Sequence, residues 1–415
     1  MSIDINIDID KNVYDINLDD LIVMGKRINN KLRNFLFISK VLGKHIEVKA
    51  DVCKAIGILL ASLTYKPSSE ELEDLKDILA YIKSTNYIDE HIKEVIDKFT
   101  FNTRGEKVCV LGFAETATGL GMAVASSIED SYYLTTTREN ITGIKSLVNF
   151  EEEHSHATMH KCFPISKEDV INKDRMILVD DEITTGKSMI NIIRELSNVT
   201  SIKKYTILSI LDWRSSINKE LMDSLALEKG IDIEVLSLIS GNISINDNSV
   251  FYNYIDNEIE EKTSVNNLNI LDRIQIKSEA ENVDYYKDSG RFGVNQKDIM
   301  LLDKKCESIA KMIEDDIEDS DKILILGHGE NIYIPSKIAS YLKNDTYFKS
   351  TTRSPIFCEN IDEYPIKTAH VFYDSGIKYY MYNKEDIEKR YDKVILITEN
   401  DLNMKLTSNI LIYKI

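Results

Sequence analysis

Positive charge is scarce in this sequence: 51 lysines and arginines face 69 aspartates and glutamates, leaving a net charge of −18. A chain so acidic lacks the diffuse basic field that grips nucleic acid or an anionic membrane, which argues against either partner. Long apolar runs are missing as well. The stretch 55–61, Ala-Ile-Gly-Ile-Leu-Leu-Ala, is soon broken by polar residues, whereas a bilayer span needs about 20 apolar residues. From Ile3 the chain alternates isoleucine with aspartate or asparagine. A secretory leader is basic and then apolar, so the expectation is a soluble, cytoplasmic protein. Cysteine is sparse too. Cys53, Cys109, Cys162, Cys306 and Cys358 are odd in number, widely spaced and never in a Cys-x-x-Cys pair, which fits neither a disulfide frame nor a zinc site.

What is present is ordinary globular composition, 43% hydrophobic and 29% charged, over a length that at ~150 residues per domain calls for two or three domains. Residues 1–16 suit an exposed strand or a loose arm. From 18 to 98 the spacing turns mostly helical, as in Leu72, Leu75, Ile78, Leu79 and Ile82 after the Ser68-Ser69-Glu70 start. Short apolar runs follow at 108–112, 176–179 and 205–211, each leading into a loop and a helix. That alternation marks a parallel sheet covered on both faces. A stretch rich in Asn, Asp, Ser and Glu separates it from a second series of runs at 322–327, 370–373 and 394–397. The expected organisation is a first domain over 1–245, a linker over 246–280 and a second α/β domain over 281–415. At a constant spacing of 215 residues, 130–138 lies over 345–353 with a shared Thr-Thr-Arg, and Leu111, Gly112 and Glu115 fall on Leu326, Gly327 and Glu330. This reads as a degenerate duplication.

The chemistry concentrates in 177–188, Ile-Leu-Val-Asp-Asp-Glu-Ile-Thr-Thr-Gly-Lys-Ser: a buried strand that stops at carboxylates and enters a helix through a small, hydroxyl-rich turn. The N–H groups that open a helix are positively polarised and suit a phosphate. Thr184, Thr185, Gly186, Lys187 and Ser188 form that cradle, and Asp180 and Asp181 are placed to accept hydrogen bonds from vicinal sugar hydroxyls. Upstream, Glu115, Thr116, Ala117, Thr118 and Gly119 again lie between a strand and a helix and offer a second anion cradle.

The 177–188 stretch resembles the phosphoribosyl-pyrophosphate (PRPP) motif of type I phosphoribosyltransferases. The resemblance narrows with the strings 36–45, 112–121, 152–158 (Glu-Glu-His-Ser-His-Ala-Thr) and Thr352-Arg353-Ser354-Pro355. Together these look like a bacterial family of tellurium-resistance-type gene clusters, in which the transferase carries a C-terminal TRSP domain. The likeness covers nearly everything beyond the first ~17 residues. It implies an α/β fold, a type I phosphoribosyltransferase-like parallel sheet flanked by helices, followed by a second smaller α/β domain that looks like a degenerate repeat. It further implies a Mg2+-dependent transfer of the 5-phosphoribosyl group between PRPP and a base-like acceptor, in synthesis of a nucleoside-like metabolite. Thr184 stands where purine-salvage members usually carry an Asp base and orotate-type members carry Thr.

By the same resemblance Asp180 and Asp181 contact the ribose hydroxyls and help to hold Mg2+, largely through PRPP and water. Thr184 to Ser188 take the 5′-phosphate, Glu115 to Gly119 the pyrophosphate, and Arg138 assists on the leaving group. Lys40, Lys44 and His45 are candidates for the acceptor pocket or phosphate contacts, and equally for solubility or capping. Trp213, the only tryptophan, stacks a base or simply packs. The run holding His154 and His156 reads as an active-site hood, a solvated charged stretch or a metal site. Arg291, Arg353 and Ser354 are candidates for a second anion site. A homodimer and partner enzymes of the same gene cluster are expected company, and Glu182 has no role. The competing reading is a non-catalytic PRPP or nucleotide sensor, because one fold serves many functions.

Overall fold

The computed structural model describes residues 5–28, 33–84, 90–151, 159–245, 250–252, 257–277 and 282–415. The apolar runs of the first half lie side by side in a seven-stranded sheet. At its centre Val108–Gly112 is buried on both faces, between the parallel strands Tyr132–Thr135 and Arg175–Ile183. Lys204–Asp212 and Asp232–Ile245 extend the parallel order, and Ile5–Asn12 closes that edge antiparallel. The N-terminal alternation is thus a paired edge strand. Helices Val52–Ser62 and Ala117–Ser126 pack closely on one another over the sheet. Close approach is why Gly121 is glycine: a Cβ there would stand 2.8 Å from Gly112 Cα.

A second sheet repeats the plan on a smaller scale. Ile323–Gly327 lies between Thr346–Ser350 and Lys393–Thr398, with Ile410–Lys414 and the short Asn266–Asn267 beyond, all parallel. Helices Gln296–Glu314 and Tyr333–Tyr341 pack together beside it. The 215-residue spacing carries over into hydrogen bonds. Thr136 N donates to Gly112 O at 2.9 Å, and Thr351 N donates to Gly327 O at 3.0 Å.

The two units trade edge strands. Val48–Lys49, from the N-terminal half, pairs antiparallel with Thr346–Ser350 of the second sheet, while Val294–Asn295 pairs antiparallel with Tyr132–Thr135 of the first. A left-handed glycine precedes each crossing. Gly43 O accepts from Ser350 N at 2.7 Å and Gly290 O from Thr135 N at 2.9 Å. One hydrophobic core runs through both units, joining Ile56, Val110 and Leu120 to Ile325, Ile332 and Phe348.

Residues 18–98 are largely helical where described, and the exception is the antiparallel hairpin of Ile22–Lys26 and Phe35–Ser39, where the Phe-Leu-Phe-Ile run is bulky and has no helical spacing. The stretch 246–280 is no free linker where it is described, since Asn266–Asn267 joins the second sheet and Arg273–Lys277 pairs with Asn282–Tyr286. Tyr373-Asp374-Ser375-Gly376 is the tip of the Ala369–Asp374/Ile377–Tyr382 hairpin, with Ser375 and Gly376 at positive φ.

The crossing depends on Gly290, whose φ is +87° and whose Cβ, if present, would lie 2.2 Å from the Tyr133 ring. Gly290→Ala is expected to lower stability by about 1–3 kcal/mol. The midpoint of chemical denaturation measures this, and an unchanged midpoint would contradict the strand exchange.

Candidate functional site

Four parallel strands of the first sheet end at one edge, and ligands of such sheets bind beyond the carboxyl ends of the strands. Arg175–Ile183 ends in Asp180, Asp181 and Glu182, all half-buried, before the turn to helix Lys187–Val199. Gly186 caps that helix with φ +76°, and a Cβ there would come within 3.1 Å of Arg214 Cδ. The turn is held from within: Thr185 Oγ1 accepts from Lys187 N at 3.3 Å, and Asp180 Oδ1 accepts from Asp181 N at 2.9 Å. Glu182 points elsewhere, to Arg33 at 2.6 Å, with both side chains little exposed. Burial raises its carboxyl above the usual range and Arg33 opposes that. The Arg33 guanidinium lies 4.6 Å from the Phe35 ring. Glu182 therefore ties the strand end to the Ile22–Lys26/Phe35–Ser39 hairpin.

The first loop sits alongside. Phe113 N donates to Val179 O at 3.1 Å, directly before Asp180, and Ala114 N donates to Thr136 Oγ1 at 2.9 Å. Lys44 Nζ reaches Thr116 Oγ1 at 2.7 Å and Glu115 at 3.7 Å. Of the five residues expected to cradle pyrophosphate, Glu115 and Thr118 turn their side chains to the second unit and Gly119 packs its backbone against it. Buried Glu115 accepts from Thr352 Oγ1 at 3.2 Å and from Arg353 N at 3.3 Å. Thr118 Oγ1 donates to Glu330 O at 2.9 Å, and a Cβ on Gly119 would stand 2.5 Å from Ile332 Cγ2. What remains for an anion is the backbone of 115–116 and the Lys44–Thr116 pair.

Arg138 follows the third strand. Its Nε donates to His160 Nε2 at 3.2 Å, so the His160 proton lies on Nδ1, which is 3.0 Å from Thr136 Oγ1. Glu330 holds this turn from the second unit, accepting from Thr137 Oγ1 at 2.7 Å and from Arg138 N at 3.1 Å. At the fourth strand end Trp213 is buried, its backbone N–H donates to Ile183 O at 2.8 Å, and its ring lies 5.9 Å from Phe37. The Trp213 Nε1 has no partner among the described residues.

The structure thus joins Asp180, Asp181, Thr184 to Ser188, the 115–116 backbone, Lys44, Arg138 and Trp213 along one edge. Others lie apart. Lys40 donates to Asp19 O at the surface. His45 is buried, 6.3 Å from the Tyr382 ring. His154 and His156 lie outside the described residues. Among the described residues no group of three or more His, Cys, Asp or Glu side chains is gathered for a metal.

The second-anion-site candidates are corrected. Arg291 is buried between Glu399, at 3.2 Å, and Glu139, at 3.4 Å, so its charge is matched inside the protein. Arg353 directs its guanidinium to Tyr379 Oη at 3.0 and 2.7 Å, and Ser354 N donates to Thr352 Oγ1. Glu330, Arg33 and Phe37 had no role in the sequence reading. Only Glu330 carried a signal, its coincidence with Glu115 at the repeat spacing.

A family model described as phosphoribosyl transferase matches residues 21–242. The chain belongs to that family. It is a family of pentosyl-transferring enzymes, and the TRSP domain found C-terminal to it matches residues 288–413. No curated protein matches the chain in sequence. Among solved structures the chain is similar to adenine phosphoribosyl transferase of Trypanosoma brucei, crystallised with AMP, pyrophosphate and ribose-5-phosphate. That match has 15% identity and TM-score 0.24, and covers 32% of this chain and only 56% of that one. The Giardia lamblia enzyme with 9-deazaadenine matches at 13% identity and TM-score 0.23, covering 32% and 70%. Orotate phosphoribosyltransferase of Mycobacterium tuberculosis H37Rv with inorganic phosphate matches at 12% and 0.21, covering 46% and 94%.

His45 also makes a testable contribution to stability in this phosphoribosyl transferase family member. Burial, and then Lys44, Lys349 and Arg27, hold its pKa well below 6.5. Below that value the unfolded chain takes a proton that the folded chain refuses, so stability falls as pH drops through 6.5, by up to about 1.4 kcal/mol per pH unit. Urea denaturation at pH 7.5 and 5.5 is expected to show the loss, and His45→Leu to lessen it; equal pH dependence in the two proteins refutes the assignment.

Proposed function

We propose that the protein transfers the 5-phosphoribosyl group from PRPP to a base-like acceptor with release of pyrophosphate, the activity residing in residues 1–245 with 281–415 in support. The observation that carries this is the convergence of two strand-to-helix loops on adjacent strand ends, tied together by Phe113 N to Val179 O. In the transfer a bond from the acceptor to C1 of the ribose forms as the bond from C1 to pyrophosphate oxygen breaks. Positive charge grows on the sugar and negative charge on the leaving group. Donors fixed in advance at such places lower the barrier.

Within this reading Thr184, Thr185, Gly186, Lys187 and Ser188 take the 5′-phosphate at the helix N-terminus. Asp180 and Asp181 accept from the ribose hydroxyls and bear a negative field on the developing cation. The 115–116 backbone, Lys44 and Arg138 receive the pyrophosphate. Trp213 and Phe37 offer an aromatic wall to the acceptor, and Arg33, held by Glu182, sets the hairpin beside it. The oxygen donors Asp180 and Asp181 suit Mg2+, a hard cation that keeps several waters and leans on substrate phosphates. When bound, Mg2+ supplies charge neutralisation on the pyrophosphate. The family expected from the sequence, with its tellurium-resistance-type gene clusters and nucleoside-like product, is our reading of its setting. The expected homodimer and partner enzymes of the same gene cluster belong to this reading, and reciprocal contacts between the two units lie within the one chain.

Calorimetric titration with PRPP and Mg2+ tests the site. Binding is expected in the wild type, and Asp180→Asn with Asp181→Asn is expected to weaken it by 100-fold or more, about the cost of two charge-assisted hydrogen bonds. Equal affinity in a folded double variant would remove the assignment. Trp213 then reports the acceptor: among bases offered with PRPP, the true one should change the fluorescence of this single tryptophan and release pyrophosphate.

A further inference from the structure

A strand-end turn that aims a guanidinium at an anion needs its own backbone held. Thr136 is held within the first unit, through Gly112 and Ala114. The Thr137 backbone is held there too, by paired hydrogen bonds with Lys161, but its hydroxyl and the Arg138 amide are met from outside the unit. One carboxylate of the second unit, Glu330, takes the Thr137 hydroxyl on one oxygen and the Arg138 amide on the other. Glu330 is itself anchored, since its carbonyl accepts from Thr118 Oγ1 of the first unit.

The same contact is made in reverse. Glu115, 215 residues earlier, takes the Thr352 hydroxyl and the Arg353 amide. Residue i of one unit meets j of the other and j meets i, which is the signature of a two-fold interface, here closed inside one chain.

The two halves of the contact bear on different sites. Register through Val108 with Arg175 and Ile323 with Lys393 sets Glu399 in the place of Asp181. Glu399 is engaged by Arg291, and Arg353 by Tyr379. After Glu399 the chain returns to the Ile410–Lys414 strand with no helix between, so the counterpart of the phosphate-cradling turn is absent. In the second unit, then, the exchanged contact joins two filled sites. In the first it fixes the turn of Arg138.

We propose that Glu330 is a positioning residue for Arg138, and that the C-terminal unit serves as a built-in partner subunit completing the pyrophosphate side of the first unit's site. This rests on the reading of Arg138 given above. Glu330→Gln offers one acceptor oxygen to two donors. Relative to wild type it is expected to weaken Mg2+-PRPP binding about ten-fold, the effect of one hydrogen bond to a charged group. It is also expected to speed amide exchange at Arg138 without ligand. Asp97→Asn is the control, since it breaks a different inter-unit ion pair, to Lys337, and should cost stability while leaving PRPP affinity unchanged. If Glu330→Gln does not fold, Thr137→Val removes one of the two donors and keeps the carboxylate.

A folded Glu330 variant with wild-type affinity and wild-type exchange at Arg138 overturns the proposal. So does an Asp97→Asn variant that loses affinity equally, because the effect would then be general loosening. Should wild type fail to bind PRPP, the functional reading falls, and exchange at Arg138 alone decides whether Glu330 holds the turn.

Discussion

A carboxylate withdrawn from water must be met by donors or it destabilises the fold, and in this protein buried Glu115 and half-buried Glu330 take their hydrogen bonds across the line between its units. Glu115 and Glu330 each reach over and cap the Thr-Thr-Arg turn of the other. Everything nearby is arranged around that exchange. The helices Ala117–Ser126 and Tyr333–Tyr341 pack on each other directly behind the two glutamates. The edge strands cross so that each sheet is finished by the other half of the chain, and a single hydrophobic core fills the space between. Neither unit presents a finished surface on this side by itself.

Symmetry in the frame makes the asymmetry of the sites informative. Both units keep a glycine at the end of the central strand and a threonine that accepts from the loop beyond it. They part at the next strand. There the first unit carries Asp180 and Asp181 ahead of a left-handed glycine and a helix, and the second carries Glu399, bound by Arg291, ahead of a direct return to the sheet. One unit keeps half-buried carboxylates ahead of a helix N-terminus, and the other has a carboxylate bound by its own arginine in the same place. A duplicated fold can divide its labour in this way, because what the sheet requires and what the site requires are carried by different residues.

Much of the frame was legible beforehand. Strands 108–112, 175–183 and 204–212 are built on the apolar runs 108–112, 176–179 and 205–211, which suit strands covered on both faces, and a helix at 69–84 announces itself by spacing. Less was legible wherever a partner distant in sequence decides the outcome. Val48–Lys49 and Val294–Asn295 are two-residue strands that exist because a foreign edge is there to pair with. Glu182 looked idle until Arg33 closed on it. Arg291 looked like an anion-binding cation, and the structure supplies the anions from Glu139 and Glu399.

By itself, then, the sequence determined the elements and the order in which they alternate, the repeat, and the two loops that follow buried strands, because periodicity, turn chemistry and strand-end carboxylates are local properties. Only the tertiary structure decided which charges are matched internally and which face outward, and that the second unit completes the first. Those outcomes depend on burial and on contacts such as Glu330 with Arg138, 192 residues apart in the chain, and no local pattern carries that pairing.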